Sequence, residues 1–491
     1  MPENMNHSHL KNRQVNLLYS MGLFTMTLLC VYCVLTVCYA DLTVSARFGV
    51  TFVDALFDGK PLSFYHLANL AGITHEGAIY DIGYYILYGL WDFPVWVLHK
   101  LTGLATDNTW CLIWYKGPLV IFTVLSALET VKMAESCGVI GKYTEGREAA
   151  LQEKQKIILL YITSVTVFFS VFISCQCDVI PLYFVLKGTN YYFEDRRWSF
   201  LAMFSAAMSM KPFPVFWLAL LIVFRQKRLD RIIADCLLGS GGFIISRVLY
   251  YFSPSFPAER QKAMTENPLL FLNGMIEGGR GKISLFFAVL VLILIFAFAD
   301  KCDIHSIVSR KKLMVYLYCV WGAFIIFTGA VPYWTIYFAP ASVLVVYMLH
   351  SDAAMLTDLA VNIALAVTFI LRYTWVYGGS MTYSYLLLKP LLTEEMAADG
   401  NTVAGILRHF YMQEFEPMFH AIVFAGMLYI AYSAFKTIHN EGNGAMSGGK
   451  AQKEAAIEES NVKDYMPLRI LFLCGFVAMT LVALWTTLMG I

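Results

Sequence analysis

Apolar runs of roughly twenty residues recur along this chain, separated by short polar stretches. They cover 16–40, 110–131, 157–175, 179–193, 198–224, 229–252, 283–298, 313–331, 334–349, 355–373, 417–435 and 467–489. The pattern predicts an all-α polytopic membrane protein with about 12–13 spans. The run 179–193 is short. The run 198–224 is interrupted by Met210-Lys211-Pro212, which predicts two half-helices or a hairpin.

One stretch departs from the pattern. Beyond residue 40 the chain turns acidic through Asp41, Asp54, Asp58, Glu76 and Asp81, then enters Tyr80-Asp81-Ile82-Gly83-Tyr84-Tyr85. Residues 46–57 place Phe48, Phe52, Ala55 and Leu56 on one helical face, which suits a helix lying on the bilayer surface. Gly49 weakens that helix by about 1 kcal/mol relative to Ala. Asp58-Gly59-Lys60-Pro61 ends it. The run 79–101 holds Asp81, Asp92, Pro94, His99 and Lys100, so it reads as a second interfacial helix and not a crossing one.

With that choice the basic residues fall on one side. Lys11 and Arg13 precede the first span; Lys132, Lys142, Arg147, Lys154 and Lys156 share a loop; Arg196 with Arg197, Arg225 through Arg231, and Arg310 through Lys312 fill three more. The positive-inside rule then makes the N-terminus cytoplasmic. The outer loops are 41–109, 253–282 and 376–416. The transmembrane domain covers 1–439. A flexible cytoplasmic linker follows at 440–466, and a last transmembrane helix at 467–491. The first apolar run is too long for a cleavable signal and is expected to act as a signal anchor.

Composition supports this class. Of 491 residues 58% are hydrophobic and only 14% charged, whereas soluble proteins carry about 25%. The net charge of +1 offers no basis for a nucleic-acid partner. The 11 cysteines are scattered, and Cys175-Gln176-Cys177 has no second pair to complete a metal site. They read as small core residues. Phosphate-loop, zinc-protease and serine-hydrolase motifs are missing from the sequence.

The chemistry-bearing residues are few. Asp41, Asp54 and Asp81 could each serve as a general base at the outer face, or be solvated loop acids; Asp81 could also cap its helix. Gln176 and Asp178 sit beside a span, where Asp178 is either a pocket residue or the N-cap of the next helix. Lys211 costs roughly 2.5–3.5 kcal/mol at membrane depth unless it snorkels or meets a phosphate or carboxylate. Arg247, Arg260, Arg280 and Arg372 lie on the outer side, against the usual bias. Either they bind a phosphate headgroup or they snorkel. Tyr333 belongs to the interfacial turn Val331-Pro332-Tyr333-Trp334.

This order of features resembles the GT-C superfamily, polytopic glycosyltransferases that use polyprenyl-phosphate sugars. Five places carry the likeness: the acid-bearing first loop with Tyr80 through Leu87; Gln176-x-Asp178 at a helix start; the small-residue run from Ser205 to Lys211-Pro212; Pro332-Tyr333-Trp334; and Asp54-Ala55-Leu56 followed by Gly59 and Tyr65. GT-C members usually carry Asp-Glu or Asp-x-Asp near the end of the first span. Here that place holds Ala40-Asp41-Leu42, which leaves the base open among Asp41, Asp54 and Asp81 and gives a divalent metal no support.

The resemblance implies a GT-C-like bundle in the plasma membrane of a bacterium. It implies inverting transfer, without a cofactor, from a polyprenyl-phosphate-linked sugar to a hydroxyl acceptor such as a glycolipid, cell-wall polysaccharide or protein. It also implies that Gln176, Asp178, Lys211, Arg247, Arg260, Arg280, Tyr333 and Arg372 bind substrate, and that membrane lipids surround the bundle. A flippase of lipid-linked saccharides is the competing expectation. It explains the spans and Lys211, but not the long acidic loop.

Overall fold

The computed structural model describes residues 2–38, 40–71, 78–140, 147–251, 253, 275–278, 281–300, 303–329, 331–373, 387, 402–444 and 465–489. Its helices are α1 (Pro2–Thr36), α2 (Ala40–Phe57), α3 (Phe64–Leu70), α4 (Ile82–Thr102), α5 (Thr109–Trp114), α6 (Gly117–Ser136), α7 (Arg147–Ile162), α8 (Val165–Phe168), α9 (Val179–Phe193), α10 (Arg197–Met208), α11 (Pro214–Arg225), α12 (Leu229–Gly239) and α13 (Gly241–Tyr250). Beyond the strands β1 (Met275–Gly278) and β2 (Gly281–Ser284) come α14 (Leu285–Ala299), α15 (Ile307–Phe327), α16 (Phe338–Met348), α17 (Asp352–Arg372), α18 (Val403–His409), α19 (Glu416–Gly444) and α20 (Met466–Met489).

The chain is an α-helical membrane protein with several spans. Among the described residues five helical stretches are long and apolar enough to cross a bilayer: Leu17–Thr36, Thr109–Ser136, Asp352–Arg372, Met412–Glu441 and Met466–Met489. Two bent pairs raise the number to seven if each is one span: Ala149–Ile162 with Val165–Ile173, bent by 57°, and Leu229–Gly239 with Gly241–Tyr250, bent by 56°. This is fewer than the dozen expected, because hydropathy registers composition and not helix breaks. The run 198–224 splits around Lys211-Pro212 into α10 and α11, of 12 residues each. At 1.5 Å per residue each reaches about 18 Å, short of the ~30 Å hydrocarbon layer. Strands β1 and β2 form an antiparallel hairpin, Ile276 opposite Ile283, a small departure from an all-helical chain.

The first loop forms both expected helices, although α2 starts at Ala40 and not at residue 46. It stops at Phe57, and Gly59 takes the positive φ of +69° that ends the turn. Helices α2 and α4 run side by side in the same direction. Phe48 meets Tyr85 at 6.2 Å edge-on, and Phe57 stacks on Trp96 at 4.6 Å. The start of α2 therefore lies at the Tyr80 end of α4. Helix α9 packs between α6 and α10, and the deepest side chains include Trp217, Trp321 and Tyr337.

Candidate functional site

Five chain breaks converge on one place. The first follows α8, which widens into a π-helical turn at Phe169–Ile173. The backbone then swings through Cys175 at φ +46° before α9 begins. This loop buries Gln176 and Asp178 almost completely. Asp178 occupies the N-cap position of α9, but its side chain caps nothing. Instead Oδ2 accepts a hydrogen bond from Lys211 Nζ at 2.7 Å. The second oxygen, Oδ1, meets no donor among the described residues.

Lys211 stands at the second break, between α10 and α11. It does not snorkel: it is buried, and the carboxylate partner is the one that offsets its desolvation. Its ammonium also lies 4.6 Å from the Tyr80 ring centre and 5.9 Å from that of Tyr333, within cation–π range. Tyr333 arrives from the fourth break, the 3-10 turn Pro332–Tyr337.

The third break brings Asp81. It precedes α4 yet makes no cap bond. Arg247 of α13 grips it in a fork: Nε to Oδ1 at 2.7 Å and a terminal nitrogen to Oδ2 at 3.3 Å. Burial pushes the Asp81 carboxyl up to about 6, although Arg247 pulls the other way. The Tyr65 hydroxyl donates to the Tyr80 carbonyl at 2.8 Å, and the Tyr80 N–H donates to the Tyr85 hydroxyl at 3.1 Å. These bonds pin the turn.

Two glycines join the two ion pairs into one site. The Gly83 N–H donates to the Ser209 carbonyl at 2.9 Å, and a Cβ there would lie 2.8 Å from that oxygen. Gly242 donates to Ser205 Oγ at 2.7 Å, and a Cβ there would sit 2.1 Å from the Ser205 carbonyl. The last turn of α10 is thus flanked by the segment bearing Tyr80 and Asp81 and by the helix bearing Arg247. The fifth break, the bend between α12 and α13, is what allows α13 this approach.

The other expected residues are placed as follows. Asp41 lies in the first turn of α2, and its side chain is outside the described residues. Asp54 is elsewhere. It accepts from Trp96 Nε1 at 2.7 Å and pairs with Lys100 at 2.8 Å. Those partners lie about 22–28 Å along α4 from Asp81. The three acids therefore do not surround one cleft. Arg260 and Arg280 lie outside the described residues. Arg372 is exposed at the end of α17 beside Tyr373 and makes no ion pair among the described residues. Nor does any group of three His, Cys, Asp or Glu stand close enough to hold a metal ion there.

Two buried groups were not foreseen. Lys116 points its ammonium at the carbonyls of Cys33, Val34 and Val37, closing the end of α1. Its place inside the apolar run 110–131 was the available signal. Asp92 is fully buried on α4 with neither oxygen partnered among the described residues, and burial raises its proton affinity. The sequence showed it only as one polar residue of an interfacial helix. No family model, curated protein or solved structure matches this chain.

Proposed function

We propose that this protein is a membrane glycosyltransferase of the GT-C type, moving a sugar from a polyprenyl phosphate to a hydroxyl acceptor. The observation that supports this reading is the convergence of two carboxylate–cation pairs, Asp81–Arg247 and Asp178–Lys211, on the Tyr80–Gly83 turn. Sugar transfer needs these two kinds of group at one point. The acceptor oxygen attacks the anomeric carbon as the bond to the phosphate oxygen breaks. The acceptor proton passes to a carboxylate, and the charge left on the phosphate meets a cation.

Asp81 is the base in this scheme. A carboxyl held near 6 is mostly ionised at neutral pH, yet basic enough to accept a proton. Arg247 orients it. Lys211, with Asp178 as its resident counter-ion, faces the departing phosphate. Tyr80 and Tyr333 offer ring faces to the sugar. Asp54 has no part.

The test is a panel of radiolabelled polyprenyl-phosphate sugars given to the purified protein with lipid, glycan and peptide acceptors. Release of polyprenyl phosphate is expected from at least one donor, and Asp81→Asn should slow it by about 10²–10⁴-fold. A folded protein that consumes no donor defeats the reading. Translocation of an intact lipid-linked saccharide in liposomes would favour the flippase.

A further inference from the structure

The loop that holds Gln176 and Asp178 hangs from the broken helix α7–α8, and that break is satisfied by side chains from two distant helices. Where the chain bends, the helical ladder skips one carbonyl: the Ser164 N–H bonds the Tyr161 carbonyl and passes over that of Leu160, which takes from its own segment only the Thr163 hydroxyl at 3.5 Å. The Leu160 carbonyl receives Arg469 of α20 at 3.4 Å. The Val165 N–H, first in α8, donates to Asn362 Oδ1 of α17 at 2.9 Å. Both side chains are tied to Asp358: Arg469 by a buried ion pair, and Asn362 through the Asp358 carbonyl at 2.8 Å. Ser342 of α16 reaches Asp358 Oδ1 at 3.5 Å.

Helix α20 touches the broken pair at two further points. Thr163 Oγ1 lies 3.9 Å from Met466 Sδ, and Phe169 packs on Phe476 with ring centres 4.6 Å apart. Phe169 opens the π-helical turn that runs directly into Ser174 and the site loop. A charged pair within a bundle is costly unless it serves a purpose. Here Arg469 and Asn362, each tied to Asp358, meet backbone groups that the bend has freed.

We propose that α20 is a brace for the candidate site, and that Arg469 is a positioning residue. With Asp358 and Asn362 it holds the α7–α8 bend at its angle and so sets where Gln176 and Asp178 stand. The inference rests on the proposed function only in treating that loop as the working part. Its test needs no substrate, so failure of the sugar panel leaves it untouched.

The reporters are already in the chain. Cys175 and Cys177 flank Gln176 and are 2% and 3% exposed, while Cys137, at the end of α6, is 0% exposed. Full-length Arg469→Met and, separately, Asn362→Leu would be treated with a maleimide in detergent, and each cysteine read by mass spectrometry. Cys175 and Cys177 should label faster by at least about tenfold, the effect of weakening the closed state by one charged hydrogen bond. Cys137 should stay protected. Arg469→Lys, which keeps the pair with Asp358, should fall between wild type and Arg469→Met. If Cys175 and Cys177 label no faster than in the wild type in both main variants, the brace is refuted. If Cys137 opens in Arg469→Met, that variant has unfolded, and Asn362→Leu decides by the same two outcomes.

Discussion

Lys211→Met isolates the worth of the deepest ion pair. The Asp178 side chain is 0% exposed and that of Lys211 5%, so neither charge is hydrated at the protein surface. Removing the cation leaves a buried carboxylate without its donor. Oδ1 has none among the described residues already, and Oδ2 loses the one at 2.7 Å. Breaking one side of such a pair costs about 3–5 kcal/mol. The lost contact with the Tyr80 ring belongs to the same total, since interactions sharing one ammonium do not add. Asp178→Asn with Lys211→Met removes both charges and should recover more than half of the loss. The cost should also shrink at low pH. A buried carboxyl without its cation holds its proton more tightly than in the unfolded chain, so the penalty belongs to the ionised form and grows as pH rises. Denaturant titration in mixed micelles, followed by tryptophan fluorescence at pH 5 and pH 8, reads all of this. A single variant within about 1 kcal/mol of wild type at pH 8 would mean that water reaches the pair, and the burial argument would fail.

Three further outcomes follow from the geometry. Arg247→Gln removes the group that holds the Asp81 carboxyl down, so the acid limb of the pH–rate profile should move upward from about 6 by roughly one unit or more; an unmoved limb excludes Asp81 as the base. Gly83→Ala drives a methyl against the Ser209 carbonyl, which cannot rotate away as the hydroxyl can, and should cost ~1–3 kcal/mol in melting experiments together with most of the activity. Asp54→Asn should do little, because its pair with Lys100 is 36% and 50% exposed and such pairs contribute about 0–1 kcal/mol; a hundredfold loss of transfer there would return Asp54 to the site.

Much of the site region was legible in the sequence, but its pairings were not. Lys211-Pro212 marked a break because proline cannot continue a helix and a lysine inside an apolar run needs a reason. The first loop read as helical from the spacing of its apolar residues, with a stop at Asp58-Gly59. What joins these parts is tertiary. Asp178 and Lys211 are 33 residues apart and Asp81 and Arg247 166, and no local pattern says which cation meets which acid. Arg247 stood out for lying against the usual charge bias, which suggested a headgroup phosphate; the group it holds is Asp81. Asp54 and Asp81 looked equivalent as loop acids, yet α4 separates them by most of its length. Part of the excess in the span count comes from helices too short to cross, such as Pro214–Arg225 and Leu285–Ala299, and part from Gly239-Ser240-Gly241 and Thr163-Ser164, which are mild in hydropathy but sharp in geometry.

The contact between Arg469 and Leu160 also bears on how the protein is made. It joins residues 309 apart, and Thr163 with Met466 joins residues 303 apart. Helices α7 and α8 leave the ribosome long before α20 exists, so until then the Leu160 carbonyl has from its own segment only the long 3.5 Å bond of the Thr163 hydroxyl. During that interval the bend is held on one side only, by Asn362, and before residue 362 emerges by neither side. The last turn of assembly is therefore the arrival of α20. Nascent chains halted upstream of it should be the ones that quality-control proteases recognise.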